Sequence, residues 1–87
     1  MGGHSWGVHS LAITSDGWLI SGSDDTTIKV WNQQYDLFKT LDDTVGGHLV
    51  GVWSLAITSD GLLISGSEDN TIKVWTKQYE LLITLNE

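Results

Sequence analysis

Three histidines and eleven acidic side chains are the groups in this 87-residue chain with the readiest chemistry to offer. The histidines are His4, His9 and His48, and the acids pair up twice, as Asp24-Asp25 and Glu68-Asp69. A zinc site wants about three to four converging ligands. There is no Cys, and the three histidines do not cluster by spacing; only an assembly that gathers several copies of His9 around an axis would bring enough of them together. Paired carboxylates act as acid and base when a cleft drives their pKa values apart. Here both pairs sit in turn sequences, Ser-Asp-Asp-Thr and Ser-Glu-Asp-Asn, where one acid of each pair is a solvated turn residue. No nucleophile stands beside a base, and Gly2-Gly3 and Gly46-Gly47 are too short to cradle a phosphate. The chain is therefore expected to be no enzyme, to hold no metal and to need no cofactor.

These residues recur. Gly2–Asp43 aligns without a gap on Gly46–Glu87 at an offset of 44, with 29 of 42 positions identical. The expected units are residues 1–43 and 44–87. Distinct binding duties would have diversified the copies further, so near-identity points to recent duplication or deliberate construction, and to a scaffold.

Composition narrows the partners. Eleven acids against 4 Lys and no Arg give a net charge of −7. Nucleic acid is bound by clustered Lys and Arg, so neither nucleic acid nor an anionic membrane is an expected partner. The N-terminus is polar and Gly-rich, without the basic-then-apolar pattern of a signal peptide. No apolar run approaches the ~20 residues of a spanning helix. The expectation is a cytoplasmic or recombinant protein with no signal peptide or transmembrane segment.

The elements that must position the chemistry are strands. Val8–Thr14, Trp18–Ser23, Thr27–Trp31 and Leu37–Leu41 are rich in β-branched and apolar residues, and Asp-Gly, Asp-Asp and polar turn sequences separate them. The second copy repeats them at Val52–Thr58, Leu62–Ser67, Thr71–Trp75 and Leu81–Leu85. The predicted fold class is all-β, two four-stranded antiparallel sheets with no helix. Gly22 inside a strand suggests close approach by a neighbouring side chain. The runs Leu-Ala-Ile and Leu-Leu-Ile are apolar on both faces, so each sheet expects cover on both sides, with a wetter outer strand.

With Gly-Gly-His, Ser-Asp-Gly, Ser-Gly-Ser and Asp-x-Thr-Ile-Lys-Val-Trp in order in both copies, the unit resembles the WD-repeat β-propeller family. Its 44-residue repeat sits in the ~40–45 range of such blades. The resemblance implies a structural hydrogen-bond chain from Trp to Ser to His to Asp. It would run Trp31–Ser21–His4–Asp25 in one blade and Trp75–Ser65–His48–Asp69 in the other. The family's Asp after the Trp is Asn32 in one copy and Thr76 in the other. The resemblance also places Ser5, His9, Asp24, Leu49, Trp53 and Glu68 on the upper rim, where partners of the family commonly bind; for Trp53, packing against the next blade is the competing reading.

Two blades do not close a ring that needs ~4–8, and repeats bury their faces only against neighbours. The expected partner is the chain itself, docked head to tail until rotation closes the ring. Four chains and eight blades are favoured, a mass of 4 × 9.6 = 38.4 kDa; three chains give six blades. The function expected is a non-catalytic, self-assembling scaffold. The alternative is a protein–protein interaction module of a longer WD-repeat protein, with a protein or peptide on the rim.

Overall fold

The computed structural model describes residues 7–42, 46–48 and 50–86. The first copy folds into β1 (Val8–Ile13), β2 (Leu19–Ser23), β3 (Ile28–Trp31) and β4 (Leu37–Leu41). The second gives β5 (Val52–Ile57), β6 (Leu63–Ser67), β7 (Thr71–Trp75) and β8 (Leu81–Asn86). Each set forms one antiparallel sheet in simple sequence order. The all-β class, with two four-stranded blades, is what the sequence predicts.

The strand ends differ by a residue from the sequence reading, and the turns explain why. Thr14 leaves β1 because its hydroxyl accepts the Trp18 amide at 2.9 Å, while Gly17, at φ 90°, donates its amide to the Thr14 carbonyl at 3.0 Å. Thr58, Leu62 and Gly61 repeat this turn. Positive φ there suits glycine, which carries no β-carbon to clash. At the start of β3 and β7 the threonine amide and hydroxyl both donate to the preceding Asp, Thr27 to Asp25 Oδ1 and Thr71 to Asp69 Oδ1, so this residue sits on the border of the strand and is counted in β7 and not in β3. In the third turn Asn32 Oδ1 accepts the amides of Gln34 and Asp36 at 2.9 and 3.0 Å. Thr76 Oγ1 accepts the equivalent amides of Gln78 and Glu80, both at 3.2 Å. The missing aspartates are thus replaced by two other acceptors, and the turn survives in both copies.

The core lies between the sheets. Ile20, Ile28 and Leu41 of the first blade meet Val52, Leu63 and Trp75 of the second, all fully buried. Each such side chain is worth about 1.5–3 kcal/mol of transfer free energy, which makes this seam the main apolar contribution to stability. Ala12, Leu55, Ile57 and Tyr79 close its edges.

Cover on both faces of each sheet, expected from the apolar runs, is not realised within the chain. Each blade has one neighbour and so one covered face. Val8, Leu11 and Ile13 on β1 are half or more exposed. Ile72, Leu82, Ile83 and Leu85 lie open on the second blade. The most buried strand is β2, not the innermost β1. None of the described residues forms a helix long and apolar enough to cross a membrane.

Candidate functional site

The second blade holds a continuous line of polar side chains inside its apolar packing. Trp75 Nε1 donates to Ser65 Oγ at 3.0 Å, and Ser65 Oγ lies 2.7 Å from His48 Nε2. Nδ1 faces only acceptors, the Asp69 carboxylate and a Thr71 hydroxyl that gives its own proton to Asp69, so the proton of the neutral ring sits on Nδ1 and Nε2 accepts the Ser65 hydroxyl. Nδ1 lies 3.2 Å from Thr71 Oγ1 and 3.5 Å from Asp69 Oδ2. Thr71 in turn donates its hydroxyl and its amide to Asp69 Oδ1. Trp75, Ser65 and His48 are buried. Removal from water lowers the His48 pKa and outweighs the attraction of Asp69, so the ring is held neutral. A neutral imidazole with both nitrogens engaged is a structural link; it has no lone pair left for a proton transfer or a metal.

In the first blade Trp31 Nε1 donates to Ser21 Oγ at 3.1 Å, and Asp25 takes the two donors of Thr27. His4, the expected middle link, lies outside the described residues. The threonine between His and Asp was not singled out from the sequence, although it recurs as Thr27 and Thr71. Ser23 and Ser67 were missed as well. Each donates its hydroxyl at 2.8 Å to a loop carbonyl, Gly7 and Gly51, and accepts the amide of Asp25 or Asp69. Their identity in both copies of Ser-Gly-Ser was the available signal.

Of the rim residues, the structure brings three together. His9 Nε2 and Asp24 Oδ2 are 2.8 Å apart on the first blade. Across the seam the Trp53 ring stands edge-on to His9, with centroids 6.2 Å apart. A β-carbon on Gly51 would stand 2.7 Å from Asp24 Oδ1 and 3.2 Å from Trp53 Nε1, so a larger residue there would have to displace the Asp24 carboxylate. Trp53 remains 53% exposed. Glu68 is exposed and does not join this group. Ser5 and Leu49 lie outside the described residues. Among the described residues no three potential metal ligands converge.

Below the seam a cleft of about 570 Å³ runs between Ile13–Asp16 on one blade and Ile57–Gly61, Lys77 and Tyr79 on the other. Thr14 and Thr58 donate their hydroxyls to Asp16 and Asp60. The bond from Thr58 holds Asp60 below the usual carboxylate range. Burial, and then the charge of Asp16, push the Tyr79 phenol up. Both shifts keep these two groups in their ordinary ionisation state at neutral pH.

The blade-to-blade junction is the most developed surface on the molecule. Val52 presses on Gly22: a β-carbon there would lie 2.7 Å from Val52 Cγ1. The Leu55 amide donates across the seam to Ser10 Oγ at 3.0 Å, and Lys39 Nζ to the Tyr79 carbonyl at 3.3 Å. The close approach suggested by Gly22 is this one. The same parts stand open at the two ends of the pair. Val8, the counterpart of Val52, is 50% exposed on the first blade. Gly66, the counterpart of Gly22, has no atom nearer to its would-be β-carbon than Ser54 Cβ at 3.9 Å.

Comparison with known proteins agrees with this geometry. The family model described as "WD domain, G-beta repeat" matches residues 1–32 and 39–76. No curated protein matches by sequence. Among solved structures, one titled "Structure of U3-55K" superposes with a TM-score of 0.87 at 32% identity, over 100% of this chain and 27% of that one. The chain thus spans about a quarter of the length of that structure. A Trp-Ser-His-Asp line in the second blade, two blades in sequence order and a family model over most of the residues lead to one placement: the chain belongs to the WD-repeat family.

Proposed function

We propose that this chain is a non-catalytic scaffold that builds a propeller from copies of itself. One observation carries the reading: the tightly packed centre of the junction between the two blades recurs, uncovered, at the outer ends. Val8, Leu11 and Trp31 on one end correspond to Val52, Leu55 and Trp75; Ser54, Ile64, Gly66, Ile72 and Leu85 on the other correspond to Ser10, Ile20, Gly22, Ile28 and Leu41. Every one of these pairs is identical, so the open face of one chain fits the open face of the next as its own blades fit each other. Such a head-to-tail contact ends when rotation closes a ring. Four chains and eight blades, 4 × 9.6 = 38.4 kDa, are favoured over three chains and six.

The test is a variant that fills the open socket. Gly66→Val places a branched side chain where Val8 of the next copy would seat, in a position with no close neighbour in the single chain. Light scattering is expected to show an assembled wild type and a folded, unassembled variant. A variant that assembles like the wild type overturns the proposed docking.

A second reading rests on Trp53, whose indole is half-exposed beside Asp24 and His9 on the rim. Buried aromatic anchors dominate protein contacts, and an interaction module would use this indole together with Glu68 and the rim positions Ser5 and Leu49. A protein captured by the wild type and lost with Trp53→Ala would favour it; capture unaffected by Trp53→Ala would remove it.

A further inference from the structure

Apart from His9 and Trp53 on the rim, the junction positions that differ between the copies gather at one lower, outer corner. There the first blade presents Trp18, Phe38 and Lys39, and the second lays its turn Lys77–Tyr79 against them. The Trp18 and Phe38 rings stand edge to face with centroids 4.8 Å apart. Lys39 donates to the Tyr79 carbonyl, and the Tyr79 ring packs at the edge of the core. A cleft of about 250 Å³ remains between Trp18, Phe38 and the turn. This corner is half aromatic and half polar.

On the open face of the second blade the same three positions are Leu62, Leu82 and Ile83. No indole and no ammonium remain. Leu82 is 58% exposed and Ile83 48%. On the opposite open face, the counterpart of Tyr79 is Tyr35. Its backbone is held at φ 65°, against 64° for Tyr79, by the same turn. Tyr35 is 72% exposed, the most exposed large apolar side chain described.

We infer that Tyr35 is the residue that fits this chain to a second copy of itself, its ring lying on Leu62, Leu82 and Ile83 of the preceding chain. The inference rests on the head-to-tail reading and adds what distinguishes the contact between chains from the contact within one. Within the chain a lysine reaches over the tyrosine turn to its carbonyl. Between chains an isoleucine takes that place and cannot donate. What it offers instead is aliphatic surface, which with Leu82 and Leu62 matches a tyrosine ring that has nothing else to cover it. Removing such surface from water is favourable in proportion to its area, and the aromatic ring adds large area with only two side-chain torsions to fix. The substitution of Lys by Ile between copies thus trades a directional bond for a broad apolar seat.

The experiment is a dilution series of the full chain by sedimentation velocity, with circular dichroism to report folding. The wild type is compared with Tyr35→Phe, Tyr35→Ser and Ile83→Asp. Both residues are open in the single chain, so each variant keeps its β spectrum. Tyr35→Phe retains the ring and is expected to assemble like the wild type. Tyr35→Ser and Ile83→Asp are expected to raise the concentration of half-assembly by about tenfold or more. If the wild type assembles and these two assemble equally well, the Tyr35 contact is wrong while the ring stands. If the wild type stays a single chain at every concentration, both the contact and the head-to-tail reading fall.

Discussion

Val52 Cγ1 lies 2.7 Å from the point where Gly22 would carry a β-carbon. The two residues belong to different blades, and nothing larger than glycine leaves the blades this close. The counterpart pair, Val8 and Gly66, sits at opposite ends of the same chain. Gly22→Ala is therefore expected to overpack the seam and destabilise the chain by about 1–3 kcal/mol, read as a lower melting temperature. Gly66→Ala has open space around it and should leave the melting of a dilute single chain unchanged. Equal effects from the two would show that the seam is not as tight as described.

Trp75 is the largest fully buried side chain, and Trp31 its partly exposed counterpart. Trp75→Ala opens a cavity and takes the donor from Ser65, with an expected cost of about 3–5 kcal/mol. Trp31→Ala should cost clearly less in the single chain, because its face is not covered. Denaturant unfolding of both variants checks the order; the reverse order would contradict the placement of the core.

Acid should loosen the second blade through His48. Burial lowers its pKa below 6.5, so the folded chain holds the ring neutral while the unfolded chain ionises at its ordinary value. This contribution is fully present above pH 6.5 and is lost as pH falls through the folded-state pKa. The melting temperature should begin to drop below about pH 6.5, before the carboxylates titrate. His48→Gln should be less stable at neutral pH and flatter across that window. A wild-type melting temperature that holds steady down to pH 5 would contradict the neutral, buried ring.

The blades were legible in the sequence because hairpin chemistry is local: Ser-Asp-Gly and the Asp-x-Thr turn announce themselves within four residues, twice. The line from Trp75 to Asp69 was legible only through its likeness to a family. The rest depends on how one sheet meets another. Ser10 accepting the Leu55 amide, Lys39 reaching Tyr79, and Asp24 meeting Trp53 over Gly51 all join residues about 30 or more positions apart across a seam. No period or motif encodes such pairs. The bare faces at Leu11 and Leu85 were not legible either, since apolar strands read as buried and the sequence does not say which neighbour buries them.

Trp53 offers a check on the rim. Its ring meets His9 edge-on and is otherwise half in water. Trp53→Ala is expected to cost no more than about 0.5–1.5 kcal/mol, the range for an aromatic pair beyond its area. A loss as large as that of Trp75→Ala in the same unfolding assay would make Trp53 a core residue and remove it as a contact site.

Native mass spectrometry of the wild-type chain tests the central claim most directly. A closed ring of four chains predicts a dominant species at 4 × 9.6 = 38.4 kDa that persists on dilution. A single dominant species at 9.6 kDa under the same conditions would contradict the account, because the two open faces would then have no partner in a copy of the chain.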